Sequence, residues 1–157
     1  MSFKELNCLN QRQRGFSLVE VLIALVVLSV GMLGVAGLYV QSMQASRTSV
    51  LRHHAVILAG DVADRIRANP QAGIAYQGAG QDNNCVASLV NCDAAAMAGH
   101  DILLWKQQAA ETLPNGDVRI TYNDAGDLPM YSILVIWSEP GASSQPFYSL
   151  SIPVLPI

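Results

Sequence analysis

Hydrophobic and polar positions divide the first half of the chain into two stretches, of which the first is apolar. No charged side chain occurs between Val21 and Ser46, and residues 21–40 form twenty uncharged positions in a row. A helix rises about 1.5 Å per residue, so twenty residues cover the roughly 30 Å hydrocarbon core of a bilayer. The pattern predicts a transmembrane helix over residues 16–40, with one carboxylate, Glu20, near its start.

The second stretch, residues 41–69, is amphipathic. Its apolar residues recur every three or four positions: Leu51, Ala55, Leu58, Val62 and Ile66. That spacing places them on one face of a helix. Asp61 and Arg65 lie four residues apart, which favours a weak surface ion pair. The pattern stops at Pro70, because the residue before a proline is disfavoured in helical conformation. We predict that both stretches form one helix.

Residues 70–93 lack periodicity and are rich in Gly, Asn, Gln and Ala, which predicts a long loop. Asp93 is a suitable N-cap for a helix that runs through about Thr112. Ile102, Trp105 and Ala109 share one face of this helix, so Trp105 is predicted to lie in the core. Residues 113–116 (LPNG) then stop the helix and form a turn.

After the turn, apolar residues recur at every second position. Val118, Ile120 and Tyr122 alternate with polar residues, as in a half-buried strand. Residues 131–138 are apolar on both faces and predict a central strand, and residues 147–152 predict a third strand followed by prolines at an edge or tail. The predicted fold class is α+β, in which a long N-terminal helix carries a small antiparallel β-sheet head over residues 70–157.

The distribution of charge restricts the function. Lys4, Arg12 and Arg14 against Glu5 alone predict that the amino-terminal end stays in the cytoplasm, with the head on the periplasmic side. Beyond Pro70 the chain has two basic and eight acidic side chains, a net charge of −6. We therefore expect no nucleic-acid partner, because such proteins present basic patches.

The three cysteines separate by compartment. Cys8 lies in the cytoplasmic end, whereas Cys85 and Cys92 lie in the part predicted to be exported, where disulfides persist. We predict a local Cys85–Cys92 disulfide. A metal site with Asp93 or His100 is the alternative, but the spacing is not that of a zinc site. We therefore expect neither a metal nor a cofactor.

Residues 15–20, GFSLVE, follow basic residues and precede the uncharged helix. This arrangement resembles the class III signal sequence of type IV prepilins and type II secretion pseudopilins. The resemblance implies a leader over residues 1–15, cleaved between Gly15 and Phe16 by a membrane prepilin peptidase, and N-methylation of Phe16. It also implies that Glu20 pairs with the terminal amine of a neighbouring subunit during assembly, and that the fold is the type IV pilin-like lollipop.

Past the leader, the order of elements resembles the minor pilins called PilV, or type IV pilus modification proteins. Arg-Ala-Asn-Pro ends the long helix, two cysteines follow, and Trp105 and Trp137 lie on the next helix and strand. A major pilin of this kind commonly has its cysteine loop near the carboxyl terminus, whereas here 65 residues follow Cys92. The resemblance therefore implies a minor pilin that joins a complex priming pilus assembly near the tip.

The same resemblance implies partners and a location. The partners are other minor pilins, the major pilin, prepilin peptidase, an inner-membrane assembly platform and a tip adhesin, and the processes are cell adhesion and twitching motility. The expected location is the inner membrane, crossed once with the head in the periplasm, and afterwards the surface pilus (fimbrium).

Two alternatives remain. A minor pseudopilin of a type II secretion system would share the leader and Glu20 but often carries a calcium site. We interpret Asp124 and Asp127 as turn residues, because a calcium loop supplies six to eight oxygens. A single-pass membrane-anchored periplasmic protein or enzyme is the alternative of another class.

The sequence offers little support for catalysis. His53 and His54 are adjacent, so on a helix they point about 100° apart, and His100 lies alone beside Asp101. No G-x-S-x-G, H-E-x-x-H or P-loop motif occurs. We interpret the histidines as solvated surface residues and expect no enzymatic activity.

Overall fold

The structure is a computed structural model, and it describes residues 15–86, 91–126 and 128–154. The chain forms two compact units, Met1–Gln44 and Ala45–Ile157. The predicted leader, apart from Gly15, lies outside the described residues, as do Cys8 and Asp127. The predicted fold class is confirmed, because a long N-terminal helix precedes a small antiparallel sheet.

The first helix, α1, spans Leu18–Ala68. It begins two residues after Phe16, where the carbonyl oxygen of Ser17 accepts the backbone N–H groups of Glu20 (3.1 Å) and Val21 (3.3 Å). It ends before Asn69 and Pro70, as predicted. Seven residues of α1 are buried, and they contain the whole predicted stripe: Leu51, Ala55, Leu58, Ala59, Val62, Ala63 and Ile66.

A 3₁₀ helix over Pro70–Tyr76 follows α1 directly. The sequence predicts a loop throughout residues 70–93, and for these first seven residues that prediction is wrong. Proline at the first position of a helix costs no hydrogen bond and fixes φ near its helical value. Gly73 (φ +49°) kinks the segment, and its carbonyl oxygen accepts the Tyr131 hydroxyl at 2.6 Å.

The second helix, α2, spans Ala94–Thr112. Asp93 caps it as predicted, since its carboxylate accepts the backbone N–H of Ala96 at 2.7 Å. The predicted core position of Trp105 is also confirmed, because its side chain is buried among α1, the 3₁₀ helix and the rest of the core.

Three antiparallel strands form the sheet in the order β1 (Asp117–Asn123), β2 (Met130–Ile136) and β3 (Phe147–Pro153). The central position predicted for the second strand is confirmed. Trp137, predicted within that strand, lies just after it and is fully buried. The buried faces of α1, α2 and the sheet belong to one hydrophobic core.

Candidate functional site

The segment that precedes α1 holds the predicted processing residues. Gly15, Phe16 and Ser17 are exposed, and Phe16 is 83% accessible. Glu20 lies in the first turn of α1 and is also exposed. The amino-terminal end of a helix carries a partial positive charge, which favours a carboxylate there. No ion pair among the described residues involves Glu20.

The first unit presents an extended apolar surface. Each large apolar side chain from Phe16 to Met43 is exposed. Within the described residues, α1 is the one helix long and apolar enough to cross a membrane, with an 18-residue window of mean hydropathy 2.7 that is not buried. Monomeric proteins in water rarely expose so large an apolar surface, so this surface requires lipid or other subunits.

Ser29 is a polar residue within the apolar surface, and its hydroxyl is satisfied inside the helix. The hydroxyl of Ser29 donates to the carbonyl oxygens of Leu25 and Val26, each at 2.9 Å. Gly31, Gly34 and Gly37 have open space where a side chain would lie. Small residues allow close helix approach in lipid, and membrane helices are in any case richer in glycine.

In the second unit a disulfide joins Cys85 to Cys92, as predicted. The segment before it is fastened to α2. Gln81 donates its backbone N–H to the carbonyl of Gly99 at 2.8 Å, and the Asn83 side-chain amide donates to the carbonyl of Ala96 at 2.8 Å. The metal site considered as an alternative is excluded in this state, because the disulfide leaves neither cysteine as a thiolate ligand.

Ionic and polar contacts connect α1 to α2. Arg65 pairs with Asp61 at 3.4 Å, as predicted, and also with the buried Asp101 at 2.9 Å. The indole N–H of Trp105 donates to Asp61 at 2.9 Å. Sequence reasoning missed the last two contacts, because they join residues 36 and 44 positions apart and no local pattern signals them.

Two buried tyrosines complete this part of the molecule. Tyr76 stacks on Trp105, with ring centroids 5.9 Å apart, and its ring is nearly perpendicular to that of Tyr131, with centroids 6.0 Å apart. Burial raises the pKa of Tyr76 to about 12, and Asp101 nearby acts in the same direction. Burial likewise raises the pKa of Tyr131 to about 12. Both rings therefore remain neutral at physiological pH.

The histidines do not form a catalytic constellation. His53 and His54 are exposed on α1, as predicted. His100 is buried, so its interpretation as a surface residue is wrong: it lies in the second turn of α2, with Nδ1 3.5 Å from an Asp82 oxygen. No group of three potential metal ligands occurs in the described part of the chain.

Comparison with known families matches two adjacent parts of the chain. Residues 10–36 match the prokaryotic N-terminal methylation motif, and residues 37–103 match the family described as type IV pilin Tt1218. The second match covers the amphipathic half of α1, the 3₁₀ helix, the disulfide and the first half of α2. No curated protein and no solved structure matches the chain.

In the described residues, the first half of α1 is apolar and exposed, and a small α+β head follows it in the chain. Together the two matches cover residues 10–103, and they support placing the chain in the type IV pilin superfamily. Members of this family are structural subunits that associate with other pilins and with membrane assembly machinery.

Proposed function

We propose that this chain is a minor type IV pilin of the PilV kind, cleaved between Gly15 and Phe16 and then assembled into a pilus. The observation that carries the proposal is the exposed apolar surface of α1, which starts beside the lone carboxylate of Glu20. A simple membrane anchor would explain the apolar surface but not the carboxylate. A subunit that packs against its neighbours in a defined register would explain both, because the carboxylate can pair with a charge on the next subunit.

The proposed chemistry begins with hydrolysis of the peptide bond between Gly15 and Phe16. The reaction removes residues 1–15 and leaves an amine on Phe16, which stays cationic when it is N-methylated. Glu20 of a neighbouring subunit supplies the matching negative charge. Leaving either ion unpaired in apolar surroundings costs on the order of several kcal/mol, because the ion has lost its water. Only one axial alignment of two neighbouring helices brings the amine and the carboxylate together, so the pair would select that register.

The proposed domains follow from the same step. Residues 1–15 are the leader, residues 16–40 the transmembrane and assembly helix, residues 41–69 its amphipathic half and residues 70–157 the periplasmic head. Before assembly the subunit crosses the inner membrane once, and afterwards it lies in the surface pilus. The basic residues of the leader and the apolar run after it support this topology.

A minor role in a tip complex that primes assembly is the finer part of the proposal. It is supported by the position of the disulfide, between the 3₁₀ helix and α2 and far from the carboxyl terminus. Its partners in this role are the major pilin, other minor pilins, prepilin peptidase, the assembly platform and a tip adhesin.

Mass spectrometry of the amino terminus tests the proposal, on protein recovered separately from sheared surface fibres and from membranes. We expect N-methylated Phe16 in the fibres, together with co-purified pilins. Co-purified secretion-system components instead would identify a pseudopilin. A terminus at Met1 or Ser2, found in membranes alone, would contradict processing and assembly.

A further inference from the structure

The two edges of the sheet differ in how they are covered. At the β1 edge, the 3₁₀ helix and α2 pack against the strand, and the side-chain amide of Gln77 donates to the carbonyl of Tyr122 at 2.9 Å. At the other edge lies β3, which pairs with β2 alone. No other element among the described residues bonds to β3.

Two hydrogen bonds beyond the strand ends show which backbone groups of β3 face outward. Trp137 N donates to Pro146 O at 3.3 Å, and Val154 N donates to Pro129 O at 2.8 Å. Hydrogen-bonded pairs alternate along an antiparallel ladder, so these two bonds fix the phase of the pairs between them. Three residues of β3 are therefore bonded to β2: Tyr148, Leu150 and Ile152.

The alternate residues of β3 point their backbone groups away from β2. Phe147, Ser149 and Ser151 thus offer N–H and C=O groups at the edge, and Pro153 offers a carbonyl. The side chains of all four are exposed. Sheet edges are usually protected by charged residues, by proline or by a covering element. No residue of β3 is charged, and its proline stands at the very end.

We propose that β3 is the docking edge for an extended, uncharged segment with basic flanks, supplied by another polypeptide and added to the sheet as a fourth strand. An extended backbone is the group that matches a row of alternating donors and acceptors. The inference does not depend on the proposed function, because the edge belongs to the head whether or not the chain enters a fibre.

Charge and shape define the occupant further. Residues 70–157 carry a net charge of −6, so basic flanks attract the segment to the head, whereas a second copy of the same head is repelled. Beside Phe147 lies a shallow cleft of about 290 Å³, lined by Arg119, Leu134, Ile136, Gln145 and Phe147. Alternate side chains of an added strand would lie on the same face of the sheet as this cleft, and one of them would lie beside Phe147.

The test uses the full chain in detergent micelles and a fluorescent peptide, Lys-Lys-Thr-Val-Thr-Val-Thr-Val-Lys-Lys, with binding followed by anisotropy. We expect the unaltered chain and Ser149→Ala to bind the peptide. Ser149→Pro should bind at least tenfold more weakly, because it lacks the outward N–H yet keeps the bonds to β2 intact. The same peptide with Glu in place of each Lys should also bind at least tenfold more weakly.

Amide hydrogen exchange on the unaltered chain gives a second measurement of binding at β3, which does not depend on whether Ser149→Pro folds. The peptide should slow exchange at Ser149 and Ser151, while Tyr148 and Leu150 are already protected by β2. Absence of binding, equal binding by both Ser149 variants, or protection elsewhere in the head would overturn the inference. A dimer of the unaltered chain, with Ser149 and Ser151 protected in the absence of peptide, would assign the edge to a second copy and overturn the proposed occupant.

Discussion

At the scale of single residues, the proposed function gives Gly15, Phe16 and Glu20 three different chemical roles within one short segment. Gly15 would supply the carbonyl side of the scissile bond, and Phe16 the amine that is released. Glu20 would act later, as the partner of a neighbour's amine. Because the proposal makes cleavage and assembly separate steps, substitutions at Gly15 and at Glu20 should be distinguishable by experiment.

Replacement of Gly15 by a branched residue should prevent removal of the leader. We expect Gly15→Val to accumulate as the unprocessed chain, because a bulky side chain beside the scissile bond hinders access of a peptidase. Migration in denaturing gels, compared with the unaltered chain, measures this. Gly34→Val makes the same change where there is open space and should be processed normally, and normal processing of Gly15→Val would disprove the cleavage site.

Loss of the carboxylate at Glu20 should spare cleavage but impair assembly. We expect Glu20→Ala to reach the membrane in processed form, with recovery in sheared fibres reduced at least tenfold, because a neighbour's amine then lacks its counter-charge in apolar surroundings. Quantitative immunoblots of fibres and membranes give the ratio. Glu111→Ala removes an exposed carboxylate from α2 and serves as the control, and equal recovery of both variants would argue against a role of Glu20 in assembly.

At the scale of elements, the segment before the disulfide is held against α2 by a close backbone approach. Gly80 has φ +83°, and a β-carbon on it would lie 2.5 Å from the backbone nitrogen of Leu103. Because of this φ angle and this contact, any residue other than glycine would require the backbone to shift. The position of this segment thus depends on Gly80 as well as on the disulfide.

Gly80→Ala should therefore destabilise the head. We expect a loss of about 1–3 kcal/mol in the free energy of unfolding, the range for a non-glycine residue held at such a φ angle. Gly60→Ala is a matched control, because Gly60 is helical and has open space around it; that change should be neutral or stabilise by up to about 1 kcal/mol. Thermal melting of both variants in the same detergent measures the difference, and equal melting temperatures would refute the close approach.

The elements also show which features the sequence could predict. The length of α1, its buried stripe and the Asp93 cap depend on local chemistry, namely spacing, proline and a capping carboxylate, and the sequence predicts them. The Arg65–Asp101 pair and the burial of His100 depend on how α1, α2 and the segment around Asp82 pack, which no local pattern specifies. The sequence does not predict the 3₁₀ helix, because Pro70 ends one helical pattern and the same residue also begins the next helix.

The candidate site divides in the same way. Residues 15–20 are recognisable from sequence, because their spacing relative to an uncharged run is short-range information. The open edge at β3 is not recognisable from the sequence, since it depends on the order of the strands and on which element covers β1. Both are known only from the folded structure.

At the scale of the whole molecule, stability should depend on pH through the two tyrosines of the core. In the folded chain the pKa values of Tyr76 and Tyr131 are raised by burial to about 12, above the ordinary value of 10.0. Below pH 10 both rings are neutral in either state, so their contribution is fully present. Between about pH 10 and 12 the unfolded chain releases these protons and the folded chain does not, so the free energy of unfolding falls as pH rises.

Melting temperatures in detergent between pH 8 and 12 should consequently decline steeply above pH 10. Replacement of both tyrosines by phenylalanine should make that decline shallower, although the double variant starts lower because the Tyr131 hydroxyl no longer donates to Gly73. Tyr39→Phe, which alters an exposed ring in the first unit, should leave the slope unchanged. An equally steep decline in the double variant would mean that other groups cause the alkaline unfolding, and that the hydroxyls of Tyr76 and Tyr131 are not held neutral by the core.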